Sequence, residues 1–389
     1  MRNIVHIDLN AFFAQCEENE HPEYKGKPLA VGGGKRRGVI STANYEARKY
    51  GVHSAMNVYE ATSRCKVLII VEGHYDLYLK KSHEFMSFLR ERFKNIQVAS
   101  IDECYIDVTD YIDDSNCYDY LRDLQIEIYK KLTLKCSIGY AHTTFLAKMA
   151  SDLKKPLGLT IIINDDYKKL IWPLPIKDMY GIGKKTYPRL EKIGIKTIGD
   201  LVNSTDPRVK KILGNGYDYF LMHAQGKGND FVDCGHYSPK SISASRTLEY
   251  DETDYDLARD MIERLAKDVC SQAKRDKKVA RTIVLTYRTD EFITKSKRQT
   301  IAEPTSDYSL VAYYASAIFD KFYKGEPIRL LGVGLENLEE QNEVNMSLFS
   351  DYKKIDNSSK EIIKKLNKDE EKGTFKTLGD LEREKDVNK

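Results

Sequence analysis

The chain has no Cys-x-x-Cys pair, no long apolar run and almost no net charge, and each shortage excludes something. Its seven cysteines, Cys16, Cys65, Cys104, Cys117, Cys136, Cys234 and Cys270, form an odd, scattered set. Such a set argues against a disulfide framework and against a zinc site, and reads as reduced packing residues. No uninterrupted apolar stretch approaches the roughly 18 to 20 residues that a bilayer span requires. Met1-Arg2-Asn3 leads straight into Ile4-Val5-His6-Ile7-Asp8 without the pattern of a signal peptide, so cytoplasmic residence away from membranes is the expectation. Only 10 prolines and 23 glycines among 389 residues, with 41% hydrophobic residues, exclude a collagen-like, low-complexity or largely disordered protein. A net charge of +3 is too small to argue for a nucleic-acid partner by itself.

What is present is unevenly placed. Residues 271 to 300 hold nine basic side chains, among them Arg281, Arg288 and Arg298, against three acidic ones, a net of +6. Composition alone reads this as a solvated face. The length suits two to four domains. Residues 3 to 8 read as a short buried strand ending at Asp8, and Ala11 to Glu18 as the start of a helix. From Asp76 to Phe93, Leu79, Met86, Leu89 and Phe93 recur at helical spacing. Ile96 to Ile101 and Tyr105 to Val108 form a hairpin around Asp102-Glu103. A helix with Leu121, Leu124, Ile128 and Leu132 on one face follows, then a strand at Lys135 to Tyr140 and another helix from about Thr143.

This order is the ferredoxin-like βαββαβ plan with residues 19 to 74 inserted after the first strand. Residues 164 to 232 read as helical and 233 to 240 as a linker. Residues 241 to 340 repeat the βαββαβ order, and 341 to 389 end in a charged tail with 11 Lys and Arg and 10 Asp and Glu from residue 351 onward. The fold class is α+β and multidomain.

In the first plan the hairpin lies beside the first strand, which brings Asp8, Asp102 and Glu103 together. Taken singly, each reads as an ordinary turn carboxylate. Together they are hard oxygen donors without His or Cys partners, a set that selects Mg²⁺ or Mn²⁺ and suits two-ion phosphoryl transfer. Gly32-Gly33-Gly34-Lys35-Arg36-Arg37-Gly38 lacks the Gly-Lys-Ser/Thr ending of a P-loop and reads as a flexible basic turn. Tyr180-Gly181-Ile182-Gly183-Lys184-Lys185 reads either as a plain interhelical turn or as a hairpin whose glycines admit a phosphate to backbone N–H groups.

Three blocks carry a resemblance: Ile7-Asp8-Leu9-Asn10-Ala11-Phe12-Phe13-Ala14-Gln15-Cys16-Glu17, Ser41-Thr42-Ala43-Asn44-Tyr45-Glu46-Ala47-Arg48, and Ser100-Ile101-Asp102-Glu103. With Ala147-Lys148-Met149-Ala150-Ser151-Asp152 and Lys155-Pro156-Leu157-Gly158, this sequence resembles the Y-family DNA polymerases, in order, from residue 1 to about 338. The resemblance implies a right-hand polymerase: palm at 1–18 and 75–163, fingers at 19–74, thumb with a helix-hairpin-helix at 164–232, and little finger at 241–340. It implies template-directed addition of dNTPs to a primer 3′ end opposite damaged template, without proofreading. Two Mg²⁺ ions, for which Mn²⁺ can substitute, would be held by Asp8, Asp102, Glu103 and the Leu9 carbonyl.

The same resemblance makes Phe13 the steric gate against a ribose 2′ hydroxyl, with Phe12 close to the sugar. It makes Thr42, Tyr45, Arg48 and Lys155 the grip on the triphosphate, and Val39 and Ser41 a low roof over the nascent base pair. Primer-template DNA would lie on Gly181, Gly183, Lys184, Lys185, Arg281, Arg288 and Arg298. Met346, Leu348 and Phe349 resemble a sliding-clamp peptide, with Asn345 where Gln is usual, and Asn10 stands where the family often has Asp. A stand-alone monomeric enzyme is expected. The competing readings are a non-catalytic, clamp-associated DNA-binding scaffold, a UmuC-type polymerase that needs accessory subunits, and a nucleotidyl cyclase on a similar palm.

Overall fold

The computed structural model describes residues 2–33, 37–235 and 238–341. Gly34, Lys35 and Arg36 of the glycine-rich turn, the Met346–Phe349 peptide and the charged tail lie outside the described residues. The chain divides into two compact units, Met1–Ser238 with Thr247–Glu249, and Pro239–Arg246 with Tyr250 onward.

The first unit is built on a five-stranded sheet. Its strands are β1 (Ile4–Leu9), β5 (Ile96–Val98), β6 (Glu103–Asp107), β7 (Cys136–Ala141) and β8 (Leu159–Ile161), in the order β5-β6-β1-β7-β8. The four strands foreseen from the sequence take the ferredoxin-like arrangement, and β8 adds a fifth, parallel to β7. A smaller sheet, β3-β2-β4, comes from the insertion: β2 (Leu29–Gly32), β3 (Ile40–Ala43) and β4 (Ile69–Val71). Around these lie α1 (Phe12–Glu20), α2 (Tyr45–Arg48), α3 (Val58–Arg64), α4 (Tyr75–Arg90), α5 (Cys117–Leu132) and α6 (Thr144–Leu153).

All six residues of β1 are buried, because both faces of the sheet are covered. Val5, Ile7 and Leu9 belong to the core formed with α4 and α5, whereas Ile4 belongs to the core that includes Ala147 and Ala150 of α6. Period-two alternation therefore turns His6 and Asp8 toward α6. The α4 stripe differs from expectation by one residue: Tyr78 is buried and Leu79 is 47% exposed. Tyr78 wins the interior position because its ring packs on Phe12 and Phe13 while its hydroxyl finds a buried acceptor.

The helix α6 starts at Thr143, whose hydroxyl accepts from Leu146 N–H. It lies directly on β7 at Gly139, where a Cβ would stand 2.1 Å from the Ala147 carbonyl oxygen and 2.4 Å from Ser151 N. It shares a core with α7 (Asp166–Leu170), α8 (Tyr187–Glu191), α9 (Ile198–Asn203), α10 (Pro207–Leu213) and α11 (Tyr217–Ala224), a core that includes Ile176, Ile182, Leu190, Ile198, Leu201 and Val209.

The second unit contains β9 (Ser241–Glu252), α12 (Tyr255–Arg275), β10 (Lys278–Thr289), β11 (Thr294–Thr305), α13 (Tyr308–Phe322) and β12 (Ile328–Glu340). Asp254 and Asp307 cap the two helices by accepting from two backbone N–H groups each. The element order repeats that of the first sheet, but the strand order is β11-β10-β12-β9, with the first strand at an edge rather than inside.

Candidate active site

Asp8 pairs with Glu103 across β1 and β6 and with Ser137 across β1 and β7. Leu9 N–H donates to the Asp102 carbonyl at 3.0 Å, so the sheet brings all three acidic positions to one strand end. The side chains divide. Asp8 and Glu103 face α6 together, while the Asp102 carboxylate accepts from the Ser100 hydroxyl at 2.6 Å. Among the described residues, no three His, Cys, Asp or Glu side chains stand in a closed metal-holding cluster.

Two lysines hold the acids. Lys148 Nζ bridges Asp8 Oδ2 at 3.2 Å and Glu103 Oε1 at 3.1 Å, and lies 3.5 Å from Asp152 Oδ2. Lys155 Nζ reaches Asp8 Oδ2 at 2.6 Å and Asp152 Oδ1 at 2.8 Å. Burial pushes the Asp8 carboxyl up to about 6 against the pull of Lys155 and Lys148. Burial also raises Asp102, helped by the nearby Glu103 charge. At Glu103 burial is outweighed by His6 and Lys148, which hold it well below the usual carboxylate range. His6 is fully buried, with Nδ1 2.8 Å from the Ser151 hydroxyl and Nε2 3.5 Å from Glu103 Oε2.

These contacts fit a hard divalent cation in two respects. The donors are carboxylates, and the oxygens of Asp8 and Glu103 already share one positive charge, the Lys148 ammonium. Asn10 contributes none of this. Its amide donates to Ser137 Oγ at 2.9 Å and accepts from Leu157 N–H at 2.8 Å, so it ties β1 to the loop before β8.

Phe12 is core, 2% exposed, and Phe13 is half-buried beside it. Phe13 stacks on Tyr78, whose hydroxyl donates to the buried Glu17, which also meets His74 Nδ1 at 2.9 Å. The Tyr45 hydroxyl is buried beside the Arg48 and Lys155 cations. The cations of Arg48 and Lys155 oppose the upward push of burial on it. The Arg48 guanidinium lies 4.6 Å from the Tyr45 ring centroid, and its Nε donates to the Ala43 carbonyl. Thr42 is half-buried on β3, and Val39 and Ser41 are exposed.

Gly181 has φ +91°, a value that favours glycine, and a Cβ there would meet the Phe220 ring at 3.0 Å. Gly183, Lys184 and Lys185 are exposed, ahead of α8. In the second unit, Thr286 and Arg288 line, with Ser243, Ser245 and Ser296, a groove of about 360 Å³ along the sheet. The basic stretch is less free than its sequence suggests. Arg281 pairs with Glu339, Arg298 with Glu336 and Lys295 with Glu326, whereas Arg288 Nε bonds only the Thr294 hydroxyl among the described contacts.

Sequence reasoning left Lys148, Asp152, His6, Ser151 and Tyr78 without roles. The available signal was a lone charge, Lys148, inside the otherwise uncharged run Thr143 to Ser151.

The impB/mucB/samB family matches residues 7–152, its C-terminal domain 239–348, and the helix-hairpin-helix motif of the same family 164–195. DNA polymerase IV of Oceanobacillus iheyensis is 36% identical, over 92% of this chain and 87% of that protein. DNA polymerase IV of Bacillus velezensis is 38% identical, over 90% and 86%. Among solved structures, a Y-family DNA polymerase chimera of Dbh and Dpo4 superposes with a TM-score of 0.78 at 28% identity, covering 87% of this chain and 99% of the chimera. An insertion ternary complex of Dbh DNA polymerase gives 0.63 at the same identity and coverage.

Proposed function

The chain belongs to the impB/mucB/samB family, the Y-family DNA polymerases, and is a DNA-directed DNA polymerase of the translesion type; from that premise we propose which of its residues do the work. Asp8, Asp102, Glu103 and the Leu9 carbonyl hold two Mg²⁺ ions, with Mn²⁺ able to replace them. Bound there, divalent cations activate an attacking hydroxyl and offset charge on the transferring phosphate. The observation that carries this reading is the shared cation between Asp8, a buried carboxylate, and Glu103, a half-buried one, placed side by side on paired strands.

The substrates are primer-template DNA and dNTPs. Tyr45 offers the triphosphate a hydroxyl, Arg48 a planar fork of donors, Lys155 a point charge, and Thr42 a further hydroxyl. Phe12 lies by the sugar and Phe13 is the steric gate, its ring too firmly stacked to swing away from a 2′ hydroxyl. Val39 and Ser41 cover the nascent pair with little bulk. The exposed Gly181, Gly183, Lys184 and Lys185 take backbone phosphates without reading sequence, and Arg288, with Arg281 and Arg298 released from their acids, does the same on the second sheet.

The units correspond to palm at 1–18 and 75–163, fingers at 19–74, thumb at 164–232, linker at 233–240 and little finger at 241–340. Met346, Leu348 and Phe349 dock on the sliding clamp, which a pull-down tests through loss of capture in Leu348→Ala/Phe349→Ala. The enzyme acts as a monomer, in the cytoplasm.

Primer extension with one deoxynucleotide at a time, with Mg²⁺ and with EDTA, tests the central reading beside Asp102→Ala/Glu103→Ala. Template-directed addition that needs metal and vanishes in the variant is expected. DNA binding without addition would favour a scaffold or a missing accessory subunit, and turnover of nucleotide without DNA a cyclase.

A further inference from the structure

Lys148 and Lys155 occupy carboxylate oxygens that the proposed function gives to divalent cations, and both also touch Asp152, an acid with no assigned role. Asp8 Oδ2 accepts from both ammonium groups, at 3.2 and 2.6 Å. Asp152 offers one oxygen to each, Oδ2 to Lys148 at 3.5 Å and Oδ1 to Lys155 at 2.8 Å. The spacing is built into the helix, since Lys148 and Asp152 are i and i+4 on α6 and Lys155 follows three residues later. Burial grades the cluster: the side chains of Lys148 and Asp8 are 8% and 9% exposed, Lys155 is 23% and Asp152 is 42% exposed.

An ammonium and a divalent cation repel each other strongly on one buried oxygen. Cation binding at Asp8 and Glu103 therefore requires the lysines to release those oxygens. A lysine released without a partner would remain as an uncompensated buried charge, which is costly. Asp152 removes that cost, because both ammonium groups already touch it and need only give up their inner contacts.

We propose that Asp152 is a positioning residue: it receives the Lys148 and Lys155 ammonium groups when a divalent cation displaces them from Asp8 and Glu103, and so sets how readily the metal enters. The inference rests on the assignment of Asp8 and Glu103 as cation ligands. It makes the two lysines internal counter-ions that keep the acids in place before the metal arrives.

The test measures Mn²⁺ binding to the full-length protein, without DNA or nucleotide, from the loss of the free Mn²⁺ paramagnetic resonance signal. Asp152→Asn, which keeps shape and removes charge, should raise the half-saturating Mn²⁺ concentration roughly three- to tenfold, and Asp152→Glu should restore it. Removing any nearby negative charge weakens cation binding, so a double-mutant cycle decides between that and competition. If the lysines compete, Asp152→Asn should have a smaller effect in a Lys148→Gln background, where only Lys155 still needs a carboxylate to receive it. Equal effects of Asp152→Asn with and without Lys148 would overturn the proposal.

Lys155→Gln provides the same cycle at a more exposed position, should Lys148→Gln fold poorly. Asp8→Asn/Glu103→Gln keeps the two failures apart. Wild-type-like Mn²⁺ binding in that variant would defeat the ligand assignment itself, whereas abolished binding with an additive cycle would defeat only the role of Asp152.

Discussion

Phe13 lies flat on Tyr78, ring centroids 4.3 Å apart and planes 11° from parallel. Tyr78 is itself fixed, with its ring 1% exposed and its hydroxyl donating to Glu17, a carboxylate that is also 1% exposed. His74 closes the arrangement by bonding Glu17 through its ring and Tyr78 Oη through its backbone N–H. Phe13, the wall proposed to stand against the sugar, is thus held from behind by hydrogen bonds onto the buried Glu17.

Truncating the wall should open the site. Phe13→Ala is expected to admit ribonucleotides, raising the ratio of ribo to deoxy incorporation in single-nucleotide extension. A ratio equal to wild type would remove Phe13 from the gate.

Removing the fixing bond should cost stability while keeping the stacked ring. Tyr78→Phe leaves Glu17 buried with one donor fewer, and the loss is expected at about 1–3 kcal/mol. Urea denaturation monitored by circular dichroism measures it; a change below a few tenths of a kcal/mol would show that Glu17 is satisfied without the hydroxyl.

The Arg48 guanidinium has no carboxylate partner among the described contacts, lying over Tyr45 and bonding the Ala43 carbonyl. Arg48→Ala should raise the nucleotide KM about tenfold or more, with a smaller change in kcat, as expected for a group that binds phosphate in ground and transition states alike. An unchanged KM in steady-state extension would place Arg48 outside the nucleotide site.

On the second sheet, Arg288 is the sharper probe of DNA contact than Arg281 or Arg298, which start out paired with Glu339 and Glu336. Arg288→Ala should weaken binding of primer-template and lower the slope of log affinity against log salt by about 1, uniformly across sequences. Fluorescence anisotropy over a salt series reads both, and an unaltered slope would exclude a phosphate contact.

The acids were legible because the ferredoxin-like arrangement, one of those open to this element order, lays a strand ending at Asp8 beside a hairpin through Asp102-Glu103, and the first unit adopts it. Strand order was not legible for the second unit, since identical element order permits the first strand to sit inside or at an edge. The three strands of the insertion, three or four residues each, are too short to show a period. Lys148 escaped notice because a lysine on a helix usually reaches water, and only the fold shows that acids on β1 and β6 surround it. The pairing of Arg281 and Arg298 depends on β12, roughly 40 to 60 positions away, a separation over which local charge counting has no force.

Gly139 has no side chain, yet it governs the charges beside it. The thickness of the layer between β7 and α6 is one backbone against another, and at this separation the Lys148 stem reaches Asp8 and Glu103. An alanine at 139 would alter no ionisable group, but it would act as a shim. Prising the helix from the strand would let solvent into a seam that is now buried, and the ion pairs there would weaken because water screens what the protein interior does not. The electrostatics of this candidate site are, in that sense, a property of a missing methyl group.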